Sequence, residues 1–225
     1  MTAAVVYVVD DDQSVRKALS RLIRSADLEV ETFAAAQAFL DHPLPDRPAC
    51  LVLDVRMPGP SGLDLQSALS KARREIPIVF LTGYGDVPVS VRAMKGGAVD
   101  FLEKPFNDQE LLDAIQRALA RSRKTRAESA ERAAIQRRLD TLTPREREVL
   151  ALVVTGMLNK QVAERLGASE KTIKVHRGRV MRKMQASSVA DLVRMAGKVR
   201  PRSPATEVTG RTDVLPRSHI PSVTG

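Results

Sequence analysis

Val5-Val6-Tyr7-Val8-Val9 runs straight into Asp10-Asp11-Asp12. Five consecutive β-favouring residues without polar alternation describe a strand covered on both faces, as in a parallel sheet. Just beyond, Val15, Ala18, Leu19, Leu22 and Ile23 fall at i, i+3, i+4, i+7 and i+8 and share one helix face. The alternation then repeats. Further strands are expected at 28–33, 50–53, 76–81 and 100–102, and helices at 34–40, 63–69, 88–94 and 108–121. Five strands alternating with five helices predict an α/β fold, a doubly wound parallel sheet, over residues 1–121.

The rest of the chain changes character. Residues 122–138 are rich in Arg, Lys, Ala, Glu and Ser and lack Gly and Pro, which predicts a helical linker. Thr143-Pro144-Arg145-Glu146 then has every mark of a helix start, with a Thr cap, Pro at the first helical position and Glu closing a capping box. Asn159 is expected to cap a second helix that Gly167 ends, Ser169 a third running from Glu170 to about Met184, and Ser188 a fourth. An all-α unit over 139–198 follows, and residues 199–225, with four prolines and no periodicity, are expected to be a disordered tail.

Charge divides along the same line. Of 225 residues, 36 are Lys or Arg and 27 Asp or Glu, a net of +9. Residues 1–121 hold 14 basic and 17 acidic side chains, whereas 122–225 hold 22 and 10. A basic second half points to a polyanion, nucleic acid before an anionic membrane surface. With 3% aromatics and no Trp, a single-strand stacking platform is not expected. The longest apolar run, Ala3 to Val9, is far short of the ~20 residues of a membrane helix and lacks a basic leader. The one cysteine, Cys50, allows neither an internal disulfide nor a zinc cluster and reads as an inert buried thiol. A cytoplasmic protein without membrane contact is the expectation.

Carboxylates gather where the strands end. Asp10, Asp11 and Asp12 follow the first strand, Asp54 the third, Thr82 closes the fourth, and Lys104 with Pro105 closes the fifth. In an open parallel sheet these ends line one crevice. Carboxylates converging there repel one another unless a cation intervenes, and few oxygen ligands suit Mg²⁺, which keeps several waters. With Mg²⁺ and Lys104 to neutralise a phosphoryl group, Asp54 is the candidate nucleophile.

Val8-Val9-Asp10-Asp11-Asp12, Leu53-Asp54-Val55-Arg56-Met57-Pro58-Gly59, Leu81-Thr82-Gly83 and Phe101-Leu102-Glu103-Lys104-Pro105-Phe106, in that order, closely resemble a receiver domain of two-component response regulators. The resemblance implies a flavodoxin-like (βα)5 fold. It also implies that Asp54 takes phosphate from a sensor histidine kinase, that Asp10, Asp11, Asp54 and the Arg56 carbonyl hold Mg²⁺, and that Lys104 pairs with the phosphate through a loop with a cis Lys104-Pro105 bond. Thr82 and Phe101 match the family's switch pair. Tyr84 stands where relatives often carry His.

The second half carries a helix-turn-helix. From Lys171 to Lys183 lie six basic residues and no acidic one, while Ile173, Val180 and Met184 form an apolar face. Such a helix can enter a major groove, early side chains reaching bases and later cations meeting phosphates. Arg179, Arg182 and Lys183 are expected to meet the backbone. Thr143–Leu150, Gly156–Ala163 and Lys171-Thr172-Ile173-Lys174-Val175-His176-Arg177 resemble a LuxR-type four-helix DNA-binding domain. That likeness implies base contacts from Lys174 and Val175, a phosphate or structural role for His176, and supporting contacts from Lys171, Thr172 and Arg177. Gly178 departs from relatives that place a base-reading Lys there.

Receiver plus LuxR-type domain is the NarL/FixJ architecture, here nearer the FixJ, NodW and StyR branch. It implies a homodimer formed on phosphorylation, promoter DNA and RNA polymerase as partners, and activation of transcription. It is not the pattern of a turnover enzyme, although self-dephosphorylation is open to it. An aspartate-nucleophile phosphatase wants a second acid two residues after the nucleophile, where Arg56 stands. The receiver half argues against a sigma-like polymerase subunit. The alternative is a receiver-controlled protein-interaction module without sequence-specific DNA reading, which a DNA-binding titration separates.

Overall fold

A computed structural model describes residues 4–44, 46–83 and 87–199. Tyr84 and the tail from 200 onward lie outside the described residues. The chain divides into two units, residues 1–133 and 134–225.

In the first unit β1 (Val5–Val9) is buried along its whole length because both of its faces are covered. It is flanked by β2 (Glu29–Phe33) and β3 (Ala49–Asp54), and the sheet continues through β4 (Ile78–Thr82) to β5 (Asp100–Glu103). The order is β2-β1-β3-β4-β5, every pair parallel. This is the flavodoxin-like winding, with its crevice outside the carboxyl ends of β1 and β3.

Alternation along each strand sorts the core into two layers. Val5, Tyr7 and Val9 join Leu51, Leu53 and Phe80 on one face, covered by α2 (Ala36–Leu40), α3 (Gly62–Lys71) and α4 (Val87–Lys95). Val6, Val8, Val52 and Leu81 face the other way, against Leu19 and Ile23 of α1 (Gln13–Ser25) and Leu111, Ile115 and Leu119 of α5 (Asp108–Asp140). Each such side chain contributes ~1.5–3 kcal/mol on burial, so reversing either alternation would remove most of the core. Asp12, the last of the aspartate run, caps α1: its Oδ1 accepts from Ser14 N at 2.7 Å and from Val15 N at 3.3 Å.

The linker expected from residue 122 begins later. Helix α5 runs unbroken from 108 to 140. The buried Ser122 hydroxyl accepts from Ala49 N at 3.1 Å, under the start of β3, and Arg126 pairs with Asp46. Only from 127 to 133 is α5 exposed all round.

The second unit packs α6 (Pro144–Val153), α7 (Asn159–Leu166), α8 (Glu170–Met184) and α9 (Val189–Val199) with Ile135 and Leu142 around Val149, Val162, Ile173, Val180, Met184 and Leu192. The capping box at Thr143 and Glu146 is present, as is the Ser169 cap, whose Oγ accepts from Thr172 N at 3.1 Å. Gly167 closes α7 at φ 60°, a left-handed turn that a β-carbon would strain. Asn159 is not the cap of α7. It is the first helical residue, Leu158 holds the cap position, and Gln161 Oε1 accepts from Leu158 N at 2.8 Å. The Asn159 side chain instead accepts from Arg177 Nη1 of α8 at 2.9 Å.

Candidate functional sites: a carboxylate crevice and a cationic helix

Asp10 directly follows β1 and Asp54 ends β3, and the parallel register that pairs Val9 with Leu53 sets the two side by side. Their side chains are almost sealed, at 2% and 9% exposed. Lys104, just past β5, reaches back between them. Its Nζ donates to Asp10 Oδ2 at 2.8 Å and to Asp54 Oδ1 at 2.7 Å. Backbone amides take the remaining oxygens: Asp12 N donates to Asp10 Oδ1 and Arg56 N to Asp54 Oδ2, both at 2.8 Å. Arg16 Nη1 donates to the Asp10 carbonyl at 2.7 Å. The Lys104 amide is fixed to Thr82 O at 2.6 Å, and the Lys104-Pro105 peptide is cis.

Burial holds the Asp54 carboxyl above the usual aspartate range, although the Lys104 bond pulls it down. Burial also works to lower Lys104, but bonds to Asp10 and Asp54 more than offset it and the ammonium's pKa is raised. Two carboxylates thus share one ammonium, leaving a buried excess of negative charge. That excess, on hard oxygen donors, fits a divalent cation held by one or two carboxylates and water.

The metal set expected from sequence is not a ready-made cage. Among the described residues no three Asp, Glu, His or Cys side chains converge as they would for a metal. Asp11 is exposed, and Lys104 occupies the approach between Asp10 and Asp54. Thr82 is buried at the end of β4. Phe101, half-buried on β5, packs its ring 6.4 Å from that of Phe80.

Gly62, which sequence reasoning passed over, belongs to this site. A β-carbon there would lie 2.3 Å from the Asp54 carbonyl oxygen. Helix α3 starts against the phosphoacceptor candidate's own backbone, and the Gly62 amide donates to Val55 O at 3.0 Å. Glycine as the first residue of a well-capped helix was the available signal.

On α8, Lys171, Lys174, Val175, Gly178, Arg179 and Arg182 share one exposed face, opposite the buried Ile173, Val180 and Met184. Val175 is 50% exposed, large for an apolar side chain. Thr172 is exposed, its hydroxyl 2.8 Å from Ser169 Oγ. His176 and Arg177 flank the face half-buried, Arg177 held by Asn159 and His176 with an unpartnered, buried Nδ1. Lys183 departs from the reading that sends it to the DNA backbone, because its Nζ turns inward to Glu146 Oε2 at 2.7 Å.

Residues 6–116 match the family described as response regulator receiver domain, and residues 140–196 the luxR family of bacterial regulatory proteins. Nodulation protein W of Bradyrhizobium diazoefficiens is 54% identical over 87% of this chain and 86% of its own length. The response regulator protein TodT of Pseudomonas putida is 46% identical over 88% and 87%. Among solved structures, the response regulator StyR superposes with a TM-score of 0.78 at 48% identity, covering 88% of this chain and all of that one. No described helix is long and apolar enough to cross a membrane. The chain belongs to the NarL/FixJ family of two-component response regulators, transcriptional regulators that join a receiver to a LuxR-type DNA-binding domain and are not turnover enzymes.

Proposed function

We propose that Asp54 is the phosphoacceptor and that its phosphorylation switches a DNA-reading dimer. Receiver domains typically bind Mg²⁺ at the phosphorylation site. Here Asp10, Asp11, Asp54 and the Arg56 carbonyl would hold it. When bound, Mg²⁺ supplies positive charge to phosphoryl oxygens. Asp54 attacks the phosphorus of the kinase's phosphohistidine, the phosphorus–nitrogen bond breaks, and the imidazole leaves. Lys104 follows the charge from carboxylate to phosphoryl oxygen, Thr82 offers a hydroxyl from the next strand, and Phe101 relays the change across β5. The observation that carries the reading is the Lys104 ammonium bonded to both Asp10 and Asp54 in a nearly sealed crevice.

Downstream, the phosphorylated receivers dimerise. Two copies of α8 then enter successive major grooves ~34 Å apart, where Lys174 and Val175 read bases and Lys171, Thr172, His176, Arg177, Arg179 and Arg182 meet or support contacts to the backbone. Promoter binding in the cytoplasm recruits RNA polymerase and activates transcription. A small-molecule phosphodonor with Mg²⁺ tests the first step. Wild type should take up one phosphoryl group, whereas Asp54→Ala, and wild type stripped of Mg²⁺, should take up none. Undiminished labelling of Asp54→Ala would remove Asp54 from the mechanism.

A further inference from the structure

Lys183 ends the cationic run on α8, yet its ammonium is bonded within the protein. Besides its bond to Glu146, its Nζ donates to Thr141 O at 3.0 Å. Glu146 is 2% exposed, and the Oε2 that meets Lys183 also accepts from Thr143 N at 2.9 Å. Arg138, near the end of α5, donates to Met184 O at 3.3 Å. Three polar ties therefore join the α5–α6 turn to the last turn of α8. The apolar contacts of Ile173, Val180 and Met184 hold α8 on the core, and Arg177 bonded to Asn159 ties its middle to α7, which leaves the setting of its C-terminal end to the Lys183 and Arg138 bonds. Those bonds are directional and define that setting. Base-edge hydrogen bonds need such definition, since a constellation loose by ~1 Å loses its selectivity.

We infer that Lys183 is a positioning residue: paired with Glu146 it fixes the setting of α8 at which Lys174 and Val175 meet base edges, and it contacts no DNA phosphate. The inference rests on α8 being the recognition helix. Two of the ammonium's three N–H donors are already committed, to a buried carboxylate and a carbonyl, and pulling it towards a phosphate would strand the Glu146 charge.

The test uses the phosphorylated full chain, a duplex enriched from a randomised pool by that chain, and a scrambled duplex of equal length. The variants are Lys183→Met, Lys183→Arg and Glu146→Gln, with Lys174→Ala and Arg182→Ala as references. Gln at 146 still accepts from Thr143 N, so the α6 start survives while the ion pair is lost. Lys183→Met and Glu146→Gln should each lower the ratio of enriched to scrambled affinity roughly tenfold, and Lys183→Arg should restore most of it. The salt slope on the scrambled duplex should stay at the wild-type value. Partial unfolding lowers both affinities alike, so the ratio reports positioning and not the folded fraction. An unchanged ratio would make Lys183 merely structural, and a slope shallower by about 0.9 would make it a phosphate contact; either overturns the inference. Where Lys174→Ala lowers the ratio and Lys183→Met does not, positioning alone fails. Where neither does, the recognition reading of α8 falls and this inference falls with it.

Discussion

Replacing Gly62 by Ala sets two effects of known size against each other at the phosphoacceptor candidate. Helix propensity favours Ala over Gly by ~1 kcal/mol in a helix interior, and by less at the first helical position that Gly62 holds. Packing opposes it. The new methyl would stand 2.3 Å from Asp54 O and 3.2 Å from both the Asp54 carbonyl carbon and Leu53 Cγ. The first contact is with backbone inside a paired strand and cannot be relieved by a rotamer change, so α3 must retreat by an ångström or more. Overpacking of this kind costs ~1–3 kcal/mol, and at the upper end of that range it outweighs the propensity gain. The expected outcome is a net loss of ~1–2 kcal/mol in urea unfolding of the first unit, with slower phosphoryl uptake because the Asp54 backbone is displaced. A variant as stable as wild type, or stabilised by the full propensity gain, would show that α3 has slack and refute the argument.

Gly178→Ala reverses the sign: nothing lies within 4 Å of the added carbon, so the second unit should gain ~1 kcal/mol in the same unfolding assay. Lys174→Ala should cost ~1–3 kcal/mol on an enriched duplex and relax preference at one base position, whereas Arg182→Ala should weaken all duplexes alike and flatten the salt slope by ~0.9, read by titration at several salt concentrations. Lys183, then the Thr143 amide, hold the Glu146 carboxyl below the usual glutamate range. A depressed folded-state pKa contributes stability fully above the unfolded value of about 4.3 and loses it as pH falls through the folded value. The stability gap between wild type and Glu146→Gln should therefore be full at neutral pH, begin to shrink as pH falls past about 4.3, and close once pH passes below the folded-state value in urea melts; a gap independent of pH would show that the ion pair contributes nothing.

Local signals in the sequence were reliable where one segment decides its own structure. The apolar run at Val5–Val9, the capping box at Thr143 and Glu146 and the left-handed stop at Gly167 each depend on residues within a few positions. The crevice was legible because strand ends of a parallel sheet must converge, which put Asp10, Asp54 and Lys104 together before any distance was known. Readings that depended on distant partners went astray. Asn159 looks like a cap, but its oxygen is claimed by Arg177, 18 residues on. Lys183 looks like another groove cation, but Glu146, 37 residues earlier, holds it. Ser122 looks like linker, but it receives a hydrogen bond from Ala49, 73 residues earlier. Composition and periodicity carry no information about such pairings, and Gly62 was silent for the same reason: its requirement is set by the carbonyl of Asp54 on another element.

The central claim is that phosphate on Asp54 turns on DNA binding. Moving a two-state regulator from one part in a hundred active to ninety-nine needs ~5.5 kcal/mol of differential stabilisation, about 10⁴ in affinity terms, shared between phosphate and DNA. The most direct measurement is the affinity of the full chain for its enriched duplex, with and without phosphodonor and Mg²⁺, for wild type and Asp54→Ala side by side. Wild type should bind at least tenfold more tightly, roughly 1.4 kcal/mol, when phosphorylated, and Asp54→Ala should stay at the unphosphorylated level under both conditions. Equal binding by wild type with and without phosphodonor, or tightening of Asp54→Ala by the same factor, would contradict the account.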